Sequence, residues 1–277
     1  MKKIINCLLP VAGFGTRFLP VTKSIPKEML PVLSKPLIQY AVEEAISAGI
    51  TEISMVTNRY KRVIEEYFSF QGKIEKIIEG TPKETMLNEL NFITSNCNFS
   101  YVEQKEMLGL GHAIHTGMNL VENKPFAVIL PDDLCFNSGP SILQQMMAVY
   151  DKNSDCSIIA IEEVPKSEVE KYGIIEGDLV PGYRNLFRVA SMVEKPLRNE
   201  TTSNLAVIGR YILNPDIFEA LKNIMPDKNG EIQITNALNK LAKEQKILAL
   251  KFDGRRFDCG SIKGFVEANN EFAKIFL

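Results

Sequence analysis

Ile4-Ile5-Asn6-Cys7-Leu8-Leu9-Pro10-Val11-Ala12-Gly13-Phe14-Gly15-Thr16-Arg17-Phe18-Leu19-Pro20 is the stretch on which the fold turns. Ile4 to Leu9 is a short, nearly continuous apolar run, as in a strand buried on both faces. Met1-Lys2-Lys3 ahead of it gives the outline of a secretory leader, but Asn6 and Pro10 interrupt the apolar part, so a buried first strand is expected. The turn that follows is rich in glycine, and glycines let backbone N–H groups approach phosphate oxygens with no Cβ in the way. Arg17 adds a planar fork, and Lys27 downstream adds a point charge, both suited to a polyphosphate. A bare Gly-x-Gly beside two cations is also the sequence of an ordinary tight surface turn.

A dinucleotide-binding turn fails on two counts. Phe18 stands where its third glycine belongs, and the next strand ends at Thr57-Asn58 with no acid for a ribose. No Gly-Lys-Ser/Thr follows either, so a P-loop is excluded.

Outward from this turn, strand and helix patterns alternate. Pro36 opens a helix over 37–48 that Gly49 closes. A strand is predicted over 52–57, helices near 61–67 and 83–93, a short strand over 100–103, a helix over 111–121 and an apolar strand over 126–130. Such alternation implies parallel strands joined by right-handed crossovers, with ligands at their carboxyl ends. Further strands are predicted over 156–161, 173–176, 189–194, 205–213 and 247–252, with helices over 215–223, 235–244 and 262–276. The second half therefore reads as an antiparallel elaboration of a parallel sheet. One domain over residues 1–277 is expected. Its first half reaches about residue 135, and its second half and C-terminal helix fill about 136–277.

The 277 residues carry 32 Lys+Arg against 34 Asp+Glu, a balance that argues against a general nucleic-acid binder. No apolar run approaches the ~18–20 residues of a membrane span. Cys7, Cys97, Cys135, Cys156 and Cys259 are scattered without a Cys-x-x-Cys pair, which suits a reducing cytoplasm and no zinc or disulfide framework. His112 and His115 are the only histidines in the chain, and core or surface roles are expected for them.

Ala12-Gly13-x-Gly15-Thr16-Arg17-x-Leu19-Pro20, followed by Pro26-Lys27-Glu28-Met29-Leu30-Pro31, resembles the signature of the sugar-1-phosphate nucleotidylyltransferases. The resemblance continues in order through Lys35 to Tyr40, Gly109-Leu110-Gly111-His112-Ala113, Ile129-Leu130-Pro131-Asp132, Val193-Glu194-Lys195-Pro196, Asn204 to Tyr211, Gly230 to Gln233 and Asp258-Cys259-Gly260. It implies a doubly wound α/β fold of the nucleotide-diphospho-sugar transferase, Rossmann-like type, with a mostly parallel mixed sheet. It also implies transfer of a uridylyl group from UTP to glucose 1-phosphate, giving UDP-glucose and pyrophosphate for polysaccharide and other carbohydrate metabolism. Ala12-Gly13 stands where the thymidylyl branch usually has Gly-Gly. That branch, with dTTP, is one alternative; a non-catalytic sugar-nucleotide-binding regulatory subunit is the other.

Asp132 follows an apolar strand and Asp258 precedes a Cys-Gly turn; each alone also reads as a turn cap. Two carboxylates from distant segments can hold one Mg²⁺, with phosphates and waters completing its octahedron. The resemblance places both at the metal and leaves the adjacent Asp133 out of it. It further puts Ala12, Gly13, Gly15, Thr16, Gln104, Gly109 and Gly111 around the nucleotide, with the Gln104 amide on the uracil edge. Arg17 and Lys27 are placed on the pyrophosphate, and Lys195 on the phosphate of glucose 1-phosphate. Glu194, Gly173, Asn204 and Val207 are placed near the sugar. Glu231 and Gln233 are read as structural, and Thr235 as the N-cap of the helix after them. The resemblance also implies a homodimer or homotetramer.

Overall fold

The computed structural model describes residues 3–69 and 73–277, so the first two residues of the Met1-Lys2-Lys3 opening lie outside the described residues. The first half contains β1 (Asn6–Pro10), the short pair β2 (Pro31–Val32) and β3 (Lys35–Pro36), α1 (Leu37–Ser47), β4 (Glu52–Thr57), α2 (Arg62–Tyr67), α3 (Lys73–Ile78), α4 (Asn88–Asn96), β5 (Asn98–Glu103), α5 (Gly109–Thr116) and β6 (Phe126–Ile129). There follow β7 (Asp133–Phe136), α6 (Ile142–Tyr150), β8 (Ser157–Glu163), β9 (Gly173–Leu179), β10 (Leu186–Glu194), β11 (Leu205–Leu213), α7 (Asp216–Lys222), α8 (Ile234–Lys243), β12 (Ile247–Lys251), β13 (Arg255–Asp258) and α9 (Ile262–Phe276).

Nine strands form one sheet in the order β5-β4-β1-β6-β11-β8-β12-β10-β9. β5, β4, β1 and β6 run parallel, with Asn6 of β1 level with Glu52 on one side and Phe126 on the other. β11 runs antiparallel between β6 and β8, β12 rejoins β8 in parallel, and β10 lies antiparallel to both β12 and β9. The sheet is therefore more evenly mixed than expected: antiparallel pairings equal parallel ones along its order.

Its faces are both covered. Leu9, Ile53 and Ile129 pack with α1, α4 and α6 on one side. On the other side, Leu8, Val56 and Val128 pack with α5, α7 and α8. Because β1 alternates its side chains between two apolar layers, no position in it is left for a polar group facing water. A third layer joins α9 to a two-stranded ribbon of β7 and β13. There the Phe272 ring makes edge contacts with Tyr40 and Phe136 at centroid separations of 5.4 and 5.7 Å. Among the described residues no helix is long and apolar enough to cross a membrane.

Several predicted elements change shape. The helix expected over 83–93 is a 3₁₀ stretch, Pro82–Leu87, followed by α4. The one expected over 111–121 ends at Thr116, and a 3₁₀ turn, Met118–Val121, follows. Gly117 sits at the break, where a Cβ would come within 2.5 Å of Leu8 Cδ1. Thr235 is not a cap: Gln233 holds the N-cap position of α8, and Thr235 lies inside the helix. Sequence reading missed α6, whose Ser141 and Gln144 form a capping box, and it missed the β7–β13 ribbon.

Candidate active site

The glycine turn leaves β1 at the carboxyl edge of the sheet. Val11 N–H donates to Val56 O at 2.8 Å, and the Asn58 amide donates to Ala12 O. Gly13 is open on its Cβ side, with no atom within 4 Å. Gly15 has φ +66°, and a Cβ there would sit 2.9 Å from Lys27 Cβ. Only glycine relaxes both constraints at once, and it does so to let the Lys27 stem cross the turn. Thr22 Oγ1 donates to Gly15 O at 2.9 Å from the far side. Thr16 and Arg17 face solvent in a short 3₁₀ turn. The next residue of the second motif, Glu28, turns inward to Lys61 Nζ at 2.7 Å.

Lys27 Nζ reaches Asp132 Oδ2 at 2.6 Å. Burial works against the Lys27 charge, yet the Asp132 and Glu28 carboxylates outweigh it and hold the ammonium above the usual lysine range. Burial likewise opposes charge on Asp132, but the Lys27 ammonium and its hydrogen bond keep that carboxyl below its ordinary value. Gly260 marks where the distant segments meet. A Cβ on it would lie 3.0 Å from Asp132 Oδ2, 3.1 Å from Asp258 Oδ1 and 3.6 Å from Arg17 Nη1. The two aspartates thus flank one point, beside Arg17. Burial, then the Asp133 and Asp132 charges, push the Asp258 carboxyl up, against Arg256 and Arg17.

Converging carboxylates of this kind fit a hard divalent cation, since Mg²⁺ commonly takes one or two carboxylates and leaves its other positions to phosphates and waters. No group of three or more His, Cys, Asp or Glu with metal-holding geometry occurs among the described residues. The remaining ligands would have to come from substrate.

The β7–β13 ribbon explains how Asp258 arrives here. Asp258 pairs with Asp133 in its register. Asp133 itself is occupied: its Oδ2 accepts from Gly209 N–H at 2.7 Å and its Oδ1 from Arg256 Nη1 at 2.8 Å. Arg256 also reaches Glu162 at 2.5 Å and the Tyr172 hydroxyl at 2.9 Å. Sequence reasoning missed Arg256, because each of its partners is remote along the chain.

Beside the glycine turn, a cleft of about 630 Å³ is lined by Phe14, Asn58, Tyr60, Gln104 and their neighbours. Gln104 is held at the end of β5 by its N–H to Thr57 O at 2.8 Å. Its Nε2 lies 2.9 Å from His112 Nδ1 and 3.3 Å from Gly109 O. Gly109 (φ +87°) and Gly111 lie against residues 231–232; a Cβ on Gly111 would come within 2.6 Å of Ile232 O. Glu231 accepts from Gln233 Nε2 at 2.8 Å.

On the opposite side, Glu194 ends β10 and accepts from Thr235 Oγ1 at 2.5 Å. Gly173 lies against this pair; a Cβ there would be 3.2 Å from Thr235 Oγ1 and 3.3 Å from Glu194 Oε2. Lys195 takes φ +47°, and its N–H donates to Tyr172 O at 2.9 Å. Tyr172 therefore links this cluster to Arg256 and the aspartates. Asn204 Nδ2 donates to Val164 O at 3.0 Å, and Val207 on β11 pairs with Ile161. Thr235 is the functional candidate that sequence reading assigned to another task.

The mixed sheet, covered by helices on both faces, thus carries a glycine turn and two converging aspartates at its carboxyl edge. The chain matches the family model described as nucleotidyl transferase over residues 8–275, and it belongs to that family. It is 54% identical over 268 residues to a UTP–glucose-1-phosphate uridylyltransferase of Pseudomonas aeruginosa, covering 96% of this chain and 95% of the relative. A crystal structure of apo UDP-glucose pyrophosphorylase superposes with a TM-score of 0.94 at 54% identity, covering 99% of this chain and all of that one (100%). A structure of UDP-glucose pyrophosphorylase complexed with UDP-glucose gives a TM-score of 0.91 at 52% identity, covering 99% and 100%.

Proposed function

We propose that the chain transfers the uridylyl group of UTP to α-D-glucose 1-phosphate, yielding UDP-glucose and pyrophosphate. The observation that carries this reading is the meeting of Arg17, Lys27, Asp132 and Asp258 around Gly260, beyond the end of β1. Two polyanions have to be joined there, and positioning with charge neutralisation is the main catalytic task in such phosphoryl chemistry. The relative from Pseudomonas aeruginosa supports UTP and glucose 1-phosphate as the pair.

In this mechanism a phosphate oxygen of glucose 1-phosphate attacks the α-phosphorus in line. The bond from that phosphorus to the bridging oxygen breaks, and pyrophosphate leaves on the opposite side. Backbone groups of Gly15 and Thr16 cradle the nucleotide phosphates, and those of Ala12 and Gly13 meet the base. Lys27 and Arg17 offset charge on the departing pyrophosphate. Asp132 keeps the Lys27 ammonium in place, and with Asp258 it would hold a Mg²⁺ whose contribution is to neutralise phosphate oxygens. Lys195, half-exposed beyond the Tyr172 bond, binds the incoming phosphate; Glu194, Gly173, Asn204 and Val207 form the sugar side. Gln104, with Gly109 and Gly111, receives the uracil. One catalytic unit with a nucleotide half to about residue 135 and a sugar half after it fits this division of labour. All five cysteines are free, which suits a reducing cytoplasm. Exposed Ile262, Val266 and Phe276 on α9 supply apolar surface for a homodimer or homotetramer.

Pyrophosphate release, measured with UTP, dTTP and CTP against glucose 1-phosphate with and without Mg²⁺, tests the proposal. Turnover should be greatest with UTP and should stop without the metal. Equal or faster turnover of dTTP would make the chain a thymidylyltransferase. No release from any pair would favour a binding subunit. Lys195→Ala should raise the KM for glucose 1-phosphate by roughly tenfold, the scale of one charged contact at a partly solvated site. An equal rise in the KM for UTP would remove Lys195 from the sugar-phosphate side.

A further inference from the structure

We propose that His112 is a positioning residue that fixes which way the Gln104 amide faces, and so decides that the cleft accepts a uracil-type rather than a cytosine-type base. The inference rests on the reading of Gln104 as the residue that meets the base. Three atoms carry it. Gly109 O can only accept a hydrogen bond, so the Gln104 atom 3.3 Å from it must be the amide nitrogen. That same nitrogen lies 2.9 Å from His112 Nδ1. His112 Nδ1 must therefore accept, which makes the imidazole neutral with its hydrogen on Nε2.

The consequence falls on Gln104 Oε1. It accepts no hydrogen bond among the described residues, and Gln104 keeps 4% of its surface exposed. Gln104 lines the cleft, and under this proposal the unpartnered oxygen is the acceptor it presents there. Uracil and thymine offer N3–H, a donor, at the centre of their pairing edge; cytosine offers a bare acceptor nitrogen. A fixed acceptor takes the first pair and repels the third.

An imidazolium would reverse the arrangement. Its Nδ1–H would point at the amide N–H, and relief would require the amide to rotate. Oε1 would then serve His112, the Gly109 contact would be lost, and an NH₂ would meet the base. Surroundings oppose that state. Burial, then His115 one turn along α5, hold His112 below the ordinary histidine range; Glu106 in the preceding loop acts the other way. Glu231, packed on Gly109, engages Gln233. From α7, Leu221 packs on Gly111 of α5; from β1 and β4, Leu8 and Val56 pack on Gly117 at its end. Ile234 of α8 joins the same apolar layer.

Three measurements test the inference. In the ¹⁵N spectrum of the free wild-type protein, His112 should carry its hydrogen on Nε2; a hydrogen on Nδ1 would overturn it. His112→Ala should lower the preference for UTP over CTP by roughly tenfold, about one hydrogen bond's worth of discrimination. The ratio of UTP to dTTP and the KM for glucose 1-phosphate should stay within about twofold. His112→Asn, whose Oδ1 can accept in place of Nδ1, should restore the wild-type preference. Nucleotide affinity of the wild type should fall as pH drops through the His112 pKa, whereas His112→Asn should lack that fall; parallel profiles would refute the inference. A wild-type chain inert toward UTP would overturn the activity and the base-reading role together. Normal activity with unchanged UTP-to-CTP preference in His112→Ala would overturn this inference alone.

Discussion

Asp132→Asn should lower kcat by about a hundredfold or more while the chain stays folded. Asparagine keeps the shape of the side chain and removes its charge. The Lys27 ammonium, 2.6 Å away, then loses its main counter-charge. Burial is left to act on it with less opposition, so its pKa should fall and its cationic form should be lost at lower pH than in the wild type. The facing pair with Asp258 is lost as well. An electrostatic contact made where charge develops is worth about 3 kcal/mol, or roughly a hundredfold in rate. Steady-state kinetics and a thermal melt on the same sample check this; a near-normal kcat would remove Asp132 from the reaction centre. The sign of the accompanying stability change follows from the depressed Asp132 pKa. Its contribution is present above the ordinary carboxylate range and disappears as pH falls through the lowered folded-state value.

Arg210→Ala should destabilise the fold by about 3–5 kcal/mol, the cost of leaving a buried charge unpaired. Arg210 lies on β11 with 1% of its surface exposed. It meets Glu44 of α1 at 2.8 Å and donates to Leu130 O and Gly209 O. Removing it strands the Glu44 carboxylate beneath α1, while Leu130 O and Gly209 O each keep a backbone donor, Asp133 N–H and Leu130 N–H. Urea unfolding should show the loss as a lower midpoint, and adding Glu44→Gln should recover a substantial part. A single variant within about 1 kcal/mol of wild type would show that water replaces the guanidinium. The two variants separate reaction from framework, since only Arg210→Ala should move the midpoint far.

The central frame was legible because it rests on local pattern. β4 and β11 occupy the predicted ranges, while β1 starts two residues later and ends one later than predicted. Their apolar runs are long enough to declare burial, and Pro10 and Pro215 mark where β1 and β11 stop. The glycine turn was legible for the same reason: its conformational demand is written in Gly13 and Gly15 themselves. Residues whose meaning depends on a distant partner were not legible. Arg256 has polar neighbours in sequence and acquires its role only beside Asp133, Glu162 and Tyr172. Thr235 had a local excuse as a cap, and its bond to Glu194 comes from another strand. His112 read as an ordinary helix histidine, since nothing near it in sequence announces Gln104 as its partner. α6 is different, because Ser141-x-x-Gln144 is a visible capping signal that the reading passed over.

α9 braces the site at several places. Ser261 Oγ accepts from Gly264 N–H at 3.1 Å and donates to Asp258 O at 3.0 Å. Asn269 Oδ1 accepts from Leu33 N–H at 3.1 Å, and the Phe265 ring meets Phe18 edge-on at 5.7 Å, just behind Arg17. During synthesis, then, the glycine turn emerges early but waits for the final stretch of polypeptide before it is braced. A ribosome stalled, or a protease cutting, ahead of Asp258 would leave a chain with its cations already in place and neither the opposing carboxylate nor the strut that steadies them.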